Sequence, residues 1–140
     1  MKTLEIYQEG LHVLLTLKVK NPDLLTNYYA YLDYTKKLLA ECDTQVVGET
    51  FYIFDNDSFT SAIILKESHL CIHTWPEFQQ LTLDLLLCNY YNDNTEKVKK
   101  ITSELLTYFE AEIIKEHKIL RWWKFTFALI AKPKTRSQLI

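Results

Sequence analysis

The sequence predicts an α+β fold, a two-layer sandwich in which a largely antiparallel sheet carries helices on one face. Two observations lead there. Apolar residues repeat with the period of strands and of helices in the order β-α-β-β-β-β-α-β, and the links between the middle strands are short. Parallel neighbours would need crossovers of about a dozen residues or more.

Leu11, Val13, Leu15, Leu17 and Val19 alternate with His12, Thr16 and Lys18, the pattern of a half-buried strand. Asn21-Pro22-Asp23 then opens a helix, with Asn as cap, Pro at the first position and Asp at the positive end. Leu24, Leu25, Tyr28, Leu32 and Leu39 carry that helix to about Cys42. Gln45–Phe54 is β-branched and aromatic, Asp55-Asn56-Asp57-Ser58 is a turn, and Phe59–Leu65 is the next strand. His69–Trp75 and Leu81–Cys88 follow as strands, separated by a loop containing Pro76. Asn92-Asp93-Asn94 supplies a cap for a second helix with an inner stripe of Val98, Ile101, Leu105, Tyr108 and Phe109. Ile113 and Ile114 begin a last strand. Residues 1–120 are read as one domain and 121–140 as an aromatic, basic extension. Within it, Arg121–Ile130 reads as a final strand or a segment packed on the domain or a partner; a short interfacial anchor is the other reading.

With 140 residues the chain fits one domain, and its net charge of −2 does not suit a general nucleic-acid binder. Three cysteines without a CxxC pair, and no secretory leader at Met1–Gly10, point to free thiols in the cytoplasm. No apolar run reaches the roughly 20 residues that span a bilayer. Only two glycines are present, so tight turns must rely on Asn and Asp, which tolerate left-handed backbone.

The chemistry concentrates in Lys66–Cys88, KESHLCIHTWPEFQQLTLDLLLC. Glu67-Ser68-His69 is placed between two strands, where a peptide bond is presented. The period of two sets His69, Cys71, His73 and Trp75 on one face, and Thr82, Asp84, Leu86 and Cys88 on one face of the next strand. A hairpin of the two would let His73 and Cys88 both approach Ser68, giving hydroxyl, imidazole, thiol and carboxylate on one patch. The residues alone leave bland alternatives open. Cys88 suits a small buried hydrophobe, Asp84 a structural acceptor, and Glu77 a solvated surface. His69, Cys71, His73 and Cys88 also have donor types that suit zinc.

This stretch resembles the short bacterial and archaeal S-adenosylmethionine decarboxylases, whose hallmark is ESHLxIHTWPE followed by Asp-apolar and a cysteine. Glu67-Ser68-His69-Leu70, Ile72-His73-Thr74-Trp75-Pro76-Glu77, Asp84-Leu85 and Cys88 all match, and weaker similarity runs from Gly10-x-His12 to about Glu116-His117. The resemblance implies cleavage between Glu67 and Ser68. Ser68 would attack the Glu67 carbonyl, His73 would take the Ser68 α-proton, and position 68 would become a covalent pyruvoyl cofactor. That ketone would form a Schiff base with the substrate amine and act as the electron sink for CO₂ loss. Cys88 would return a proton to the substrate α-carbon. Thr60 stands at the family's hydroxyl position supporting processing. Phe54 stands at the adenine-stacking position, and Glu77 at one suited to ribose hydroxyls or a cationic group. The implied activity is decarboxylation of S-adenosylmethionine to the aminopropyl donor for spermidine synthesis, by a homodimer and without a metal.

The chain departs from the family pattern at Ser61 and Asn89, where glycine is usual, at Lys66, and in the loop Asp55–Phe59. By resemblance these positions surround the substrate pocket. They motivate two alternatives: a homologue acting on arginine or ornithine, with Asp55 and Asp57 pairing the substrate's cation, and a non-catalytic regulatory relative.

Overall fold

The computed structural model describes residues 4–5, 9–89, 92–121 and 126–127. A six-stranded antiparallel sheet is built from β2 (Gly10–Lys18), β3 (Val46–Ile53), β4 (Phe59–Leu65), β5 (Ser68–Trp75), β6 (Gln80–Leu86) and β7 (Glu112–Arg121). Their order is β3-β4-β5-β6-β2-β7. A separate short pair joins β1 (Leu4–Glu5) to β8 (Thr126–Phe127). Beyond Arg121 and β8, the extension expected over 121–140 lies outside the described residues.

One face of the sheet forms the core with α1 (Tyr28–Glu41) and α2 (Thr95–Tyr108). Leu11, Val13, Leu15 and Leu17 of β2 are buried there with Ile63 of β4, Leu70 and Ile72 of β5, and Leu83 of β6. Tyr28, Tyr31, Leu38 and Leu39 of α1, and Val98, Ile101 and Leu105 of α2, meet them at helical spacing. Phe59 is packed between Tyr28 and Tyr31, at ring separations of 5.3 and 5.5 Å. The Tyr34 hydroxyl donates to the Glu104 carbonyl (3.1 Å), tying the two helices together.

The expected helix from Asn21 to Cys42 is divided. Pro22–Leu25 is a 3-10 turn capped by Asn21, and α1 starts afresh after Asn27, whose side chain accepts from the Ala30 N–H. Thr26 donates back to the Pro22 carbonyl at 3.0 Å. Two local caps satisfy the backbone better than an unbroken helix through Thr26-Asn27, both poor helix formers. The scarcity of glycine has the expected consequence at Asp43 and Asp57, which take left-handed φ, but Gln79 and Glu110 do so as well. Gln79 closes the 3-10 turn Pro76–Phe78, and Glu110 follows the end of α2. Their N–H groups bond to Pro76 and Thr107 carbonyls.

The alternate side chains of the strands point to the opposite face, which no described helix covers. His12 and Leu14 lie there with Thr60, Ile64, His69, Cys71, His73, Trp75 and Asp84. Ile64, Trp75 and Ile119 are exposed on it. Among the described residues no helix is long and apolar enough to cross a membrane.

Candidate active site

The Glu67–Ser68 bond lies where a hairpin turn re-enters the sheet. Leu65 pairs with Ser68 and Ile64 with His69, so Lys66 and Glu67 alone form the loop. Ser68, expected just ahead of the strand that begins at His69, is thus the first residue of β5. Neither loop residue adopts the left-handed φ of the favoured two-residue hairpin turns. Turn preference therefore does not explain this loop; the pairing of β4 with β5 does.

Cys88 approaches Ser68 as expected. Its N–H donates to Ser68 Oγ at 2.8 Å, and its thiol lies 3.5 Å from Glu67 Oε2. A cavity of about 420 Å³ opens beside them, lined also by Lys66, Asn94 and Lys97. Two asparagines hold the Cys88 segment. Asn94 donates from its amide to the Cys88 carbonyl (2.7 Å), while Asn89 donates to the Glu9 carbonyl (2.8 Å) and accepts from the Asn94 N–H (2.7 Å). Asn94 occupies the cap position of α2 but makes no side-chain cap bond; its side chain is turned to the Cys88 carbonyl instead. Asp93 caps instead, accepting from the Thr95 N–H at 3.0 Å. Sequence reasoning assigned Asn94 only a capping role; its distance in sequence from Ser68 carried no signal of the bracing.

His73 does not approach Ser68. It sits five residues further along the same extended strand, about 16 Å away at roughly 3.3 Å per residue. Its partner is Thr60, across the ladder, with Oγ1 and His73 Nδ1 2.8 Å apart. Phe54 and Glu77 line the same cavity of about 300 Å³ as Thr60 and His73, together with Asn56 and Trp75. Phe54 is about half exposed and stands edge-on to Tyr52. The Asn56 amide donates to Glu77 at 3.4 Å. The six expected site residues and Glu67 thus divide into two groups, one at each end of β5. The hydroxyl and thiol stand at one end; the imidazole, second hydroxyl, aromatic ring and carboxylate stand at the other.

One departure from the family pattern falls elsewhere than expected. Ser61 points into the helix-covered face and is buried, away from Thr60 and the cavity. Asn89 braces the Cys88 loop. Nor are His69, Cys71, His73 and Cys88 gathered as a zinc set; among the described residues the cluster of metal-type donors is His12, His69 and Asp84. Burial would raise the Asp84 carboxyl, but hydrogen bonds from His12 and His69 outweigh it and hold the group below the usual carboxylate range.

Gly10 permits the close approach of β2 to this loop. A Cβ there would lie 2.7 Å from the Leu87 carbonyl oxygen and 3.5 Å from the Cys88 Cα. Gly10→Ala should therefore destabilise the fold by about 1–3 kcal/mol, read in a thermal melt, and displace Cys88 from Ser68. An unchanged melting temperature would refute this contact.

The chain is similar to known proteins in sequence and in fold. A family model described as S-adenosylmethionine decarboxylase matches residues 11–122. The S-adenosylmethionine decarboxylase proenzyme of Clostridium botulinum (strain Loch Maree / Type A3) is 34% identical over 104 residues, covering 74% of this chain and 89% of that protein. The protein of the same name from Thermodesulfovibrio yellowstonii is 25% identical over 108 residues, or 77% of each chain. In fold, the crystal structure of the adenosylmethionine decarboxylase from Aquifex aeolicus VF5 superposes with a TM-score of 0.69, covering 94% of this chain and 100% of that one at 19% identity. A family match over most of the length, and a relative one-third identical, settle the lineage: the chain belongs to the S-adenosylmethionine decarboxylase family.

Proposed function

We propose that the protein is a self-processing decarboxylase of S-adenosylmethionine that cleaves between Glu67 and Ser68 and works as a homodimer. The observation that carries this reading is the Ser68 hydroxyl, set at a hairpin turn against Cys88 and opening onto a cavity. Relatives named as proenzymes support a processing step.

A pyruvoyl group fits position 68. It is smaller than the serine residue that precedes it, the Cys88 N–H points at the serine oxygen, and the cavity beside it has room for a substrate. Ser68 Oγ attacks the Glu67 carbonyl carbon, and the acyl group passes from nitrogen to oxygen, replacing the peptide bond by an ester. A base then removes the Ser68 α-proton, so that the α-carboxylate of Glu67 leaves from the β-carbon. The dehydroalanine left at position 68 tautomerises and hydrolyses, taking up water and releasing ammonia, to give the pyruvoyl group. His73 is suited to that role because Thr60 orients its ring. When present, the pyruvoyl group supplies an electron sink for loss of CO₂ from an amino acid. Cys88 holds a thiol beside position 68 and returns the proton to the substrate carbon. Phe54 offers a flat apolar face to a purine, and Glu77 a carboxylate to ribose hydroxyls or a cation.

Because the two groups of residues sit about 16 Å apart along one strand, a complete site requires a second copy. The uncovered sheet face, with Ile64, Trp75 and Ile119 exposed among polar side chains, suits a second copy of itself. A two-fold axis lying between the sheets and across the strands reverses strand direction. It lays the Ser68 end of one copy over the Thr60–His73 end of the other.

Intact-mass measurement tests the proposal: two fragments, residues 1–67 and 68–140, replace the 16.6 kDa chain. CO₂ release is then followed with S-adenosylmethionine, arginine and ornithine. A chain that stays whole on prolonged incubation refutes self-processing. Release from arginine or ornithine alone refutes the substrate.

A further inference from the structure

Three side chains converge on the uncovered face and take no part in the steps above. His12 comes from β2, His69 from β5 and Asp84 from β6. The register sets them together: Leu86 pairs with His69 on one side and His12 on the other, and Asp84 lies two residues before Leu86 on the same face. Both imidazoles direct Nε2 at one oxygen, Asp84 Oδ1, with His69 at 2.9 Å and His12 in closer contact. The rings stand edge-on, 5.6 Å apart and at 83°. One donor atom from each residue falls within 4.8 Å of the others.

We propose that His12, His69 and Asp84 form a binding site for a first-row divalent cation, with Zn²⁺ the best fitted. Two imidazole nitrogens and one carboxylate oxygen suit Zn²⁺, Co²⁺ or Ni²⁺, whereas Mg²⁺ and Ca²⁺ favour sets made of oxygen alone. Each donor rides on a different strand of one continuous ladder, so the set is held before any ion arrives. Zinc bonds of about 2.0–2.1 Å in a tetrahedron place neighbouring ligand atoms about 3.3 Å apart. The His69–Asp84 pair opens by a few tenths of an ångström to reach this, and the closer His12–Asp84 pair opens further. Ligation by Nε2 moves each ring proton to Nδ1. Three protein ligands leave a fourth position on the uncovered face, which in the proposed dimer lies between the two sheets and holds a bound water. The ion would clamp the first turn of β5, since His69 directly follows Ser68.

The test uses the chelator-treated full-length chain, both as it processes and as Ser68→Ala, so that binding is read whether or not cleavage occurs. Titration with Co²⁺ should give the visible absorption of a four-coordinate ion, saturating at one per chain and displaced by Zn²⁺ but not by excess Mg²⁺. Asp84→Asn and His69→Gln should each weaken binding by more than about tenfold, while Cys71→Ser, on the same face beside Asp84, should bind as the parent does. Saturating Zn²⁺ should also raise the melting temperature of the parent and of Cys71→Ser, and not of Asp84→Asn or His69→Gln. Absence of saturable binding overturns the proposal, as does Co²⁺ absorption that persists in both ligand variants or is lost with Cys71. If Asp84→Asn fails to fold, the half-exposed His69 variant decides the matter alone.

Discussion

Ser68→Ala should remain a single species of 16.6 kDa under conditions in which the parent is fully cut, and should show no decarboxylation. The lost group is the nucleophile of the covalent step that opens the chain. Unfolding does not explain the expected loss. Removing Ser68 Oγ deprives the Cys88 N–H of its acceptor, which costs about 1–3 kcal/mol, below the 5–15 kcal/mol typical of a domain. Far-UV circular dichroism should therefore match the parent. Cys88→Ala should behave differently: part of the chain is still cleaved, because the thiol forms none of the bonds of the acyl shift. Turnover should fall by about 10²–10⁴, the usual value of a positioned proton donor. Equal turnover in Cys88→Ala and the parent would remove the thiol from the mechanism.

Co-expression of Ser68→Ala with His73→Ala should restore cleavage that neither variant shows alone. In a mixed dimer, the intact Ser68 of one chain meets the intact His73 of the other, and the second site carries both lesions. Random pairing of equal amounts makes half the dimers mixed, so about a quarter of all chains should be cut. The measured quantity is the fraction of fragment 68–140 among total chain by intact mass. If each chain housed a complete site, the mixture would yield none, and the two-ended arrangement would fall. The test is sharp because the distance concerned is large: about 16 Å of extended strand lies between the two residues, far beyond a hydrogen bond.

Much of the fold was legible because it rests on periodicity. Leu11 to Leu17 bury every second residue, and Val98, Ile101 and Leu105 recur at helical spacing, so strand and helix follow from where apolar groups stand. The division at Thr26-Asn27 was less legible. Asn21 and Asn27 are both competent caps, and sequence shows what a residue can accept without showing which N–H will reach it. The approach of Cys88 to Ser68 follows from strands joined as a hairpin. The expected approach of His73 fails on the same geometry, because five residues of one extended strand separate it from Ser68 by about 16 Å and turn the two side chains to opposite faces.

The sequence by itself determined the α+β class, the apolar faces, and the reacting residue types at spacings matching a decarboxylase family. Those properties are local: they depend on patterns a few residues long and on a contiguous motif. Tertiary structure alone decided that Thr60, His73, Phe54 and Glu77 gather at the end of the sheet opposite Ser68 and Cys88. It alone set Asn94 against the Cys88 carbonyl and brought His12 to Asp84 across 72 residues of chain. Register and strand order make those contacts, and both are settled when distant segments pack together.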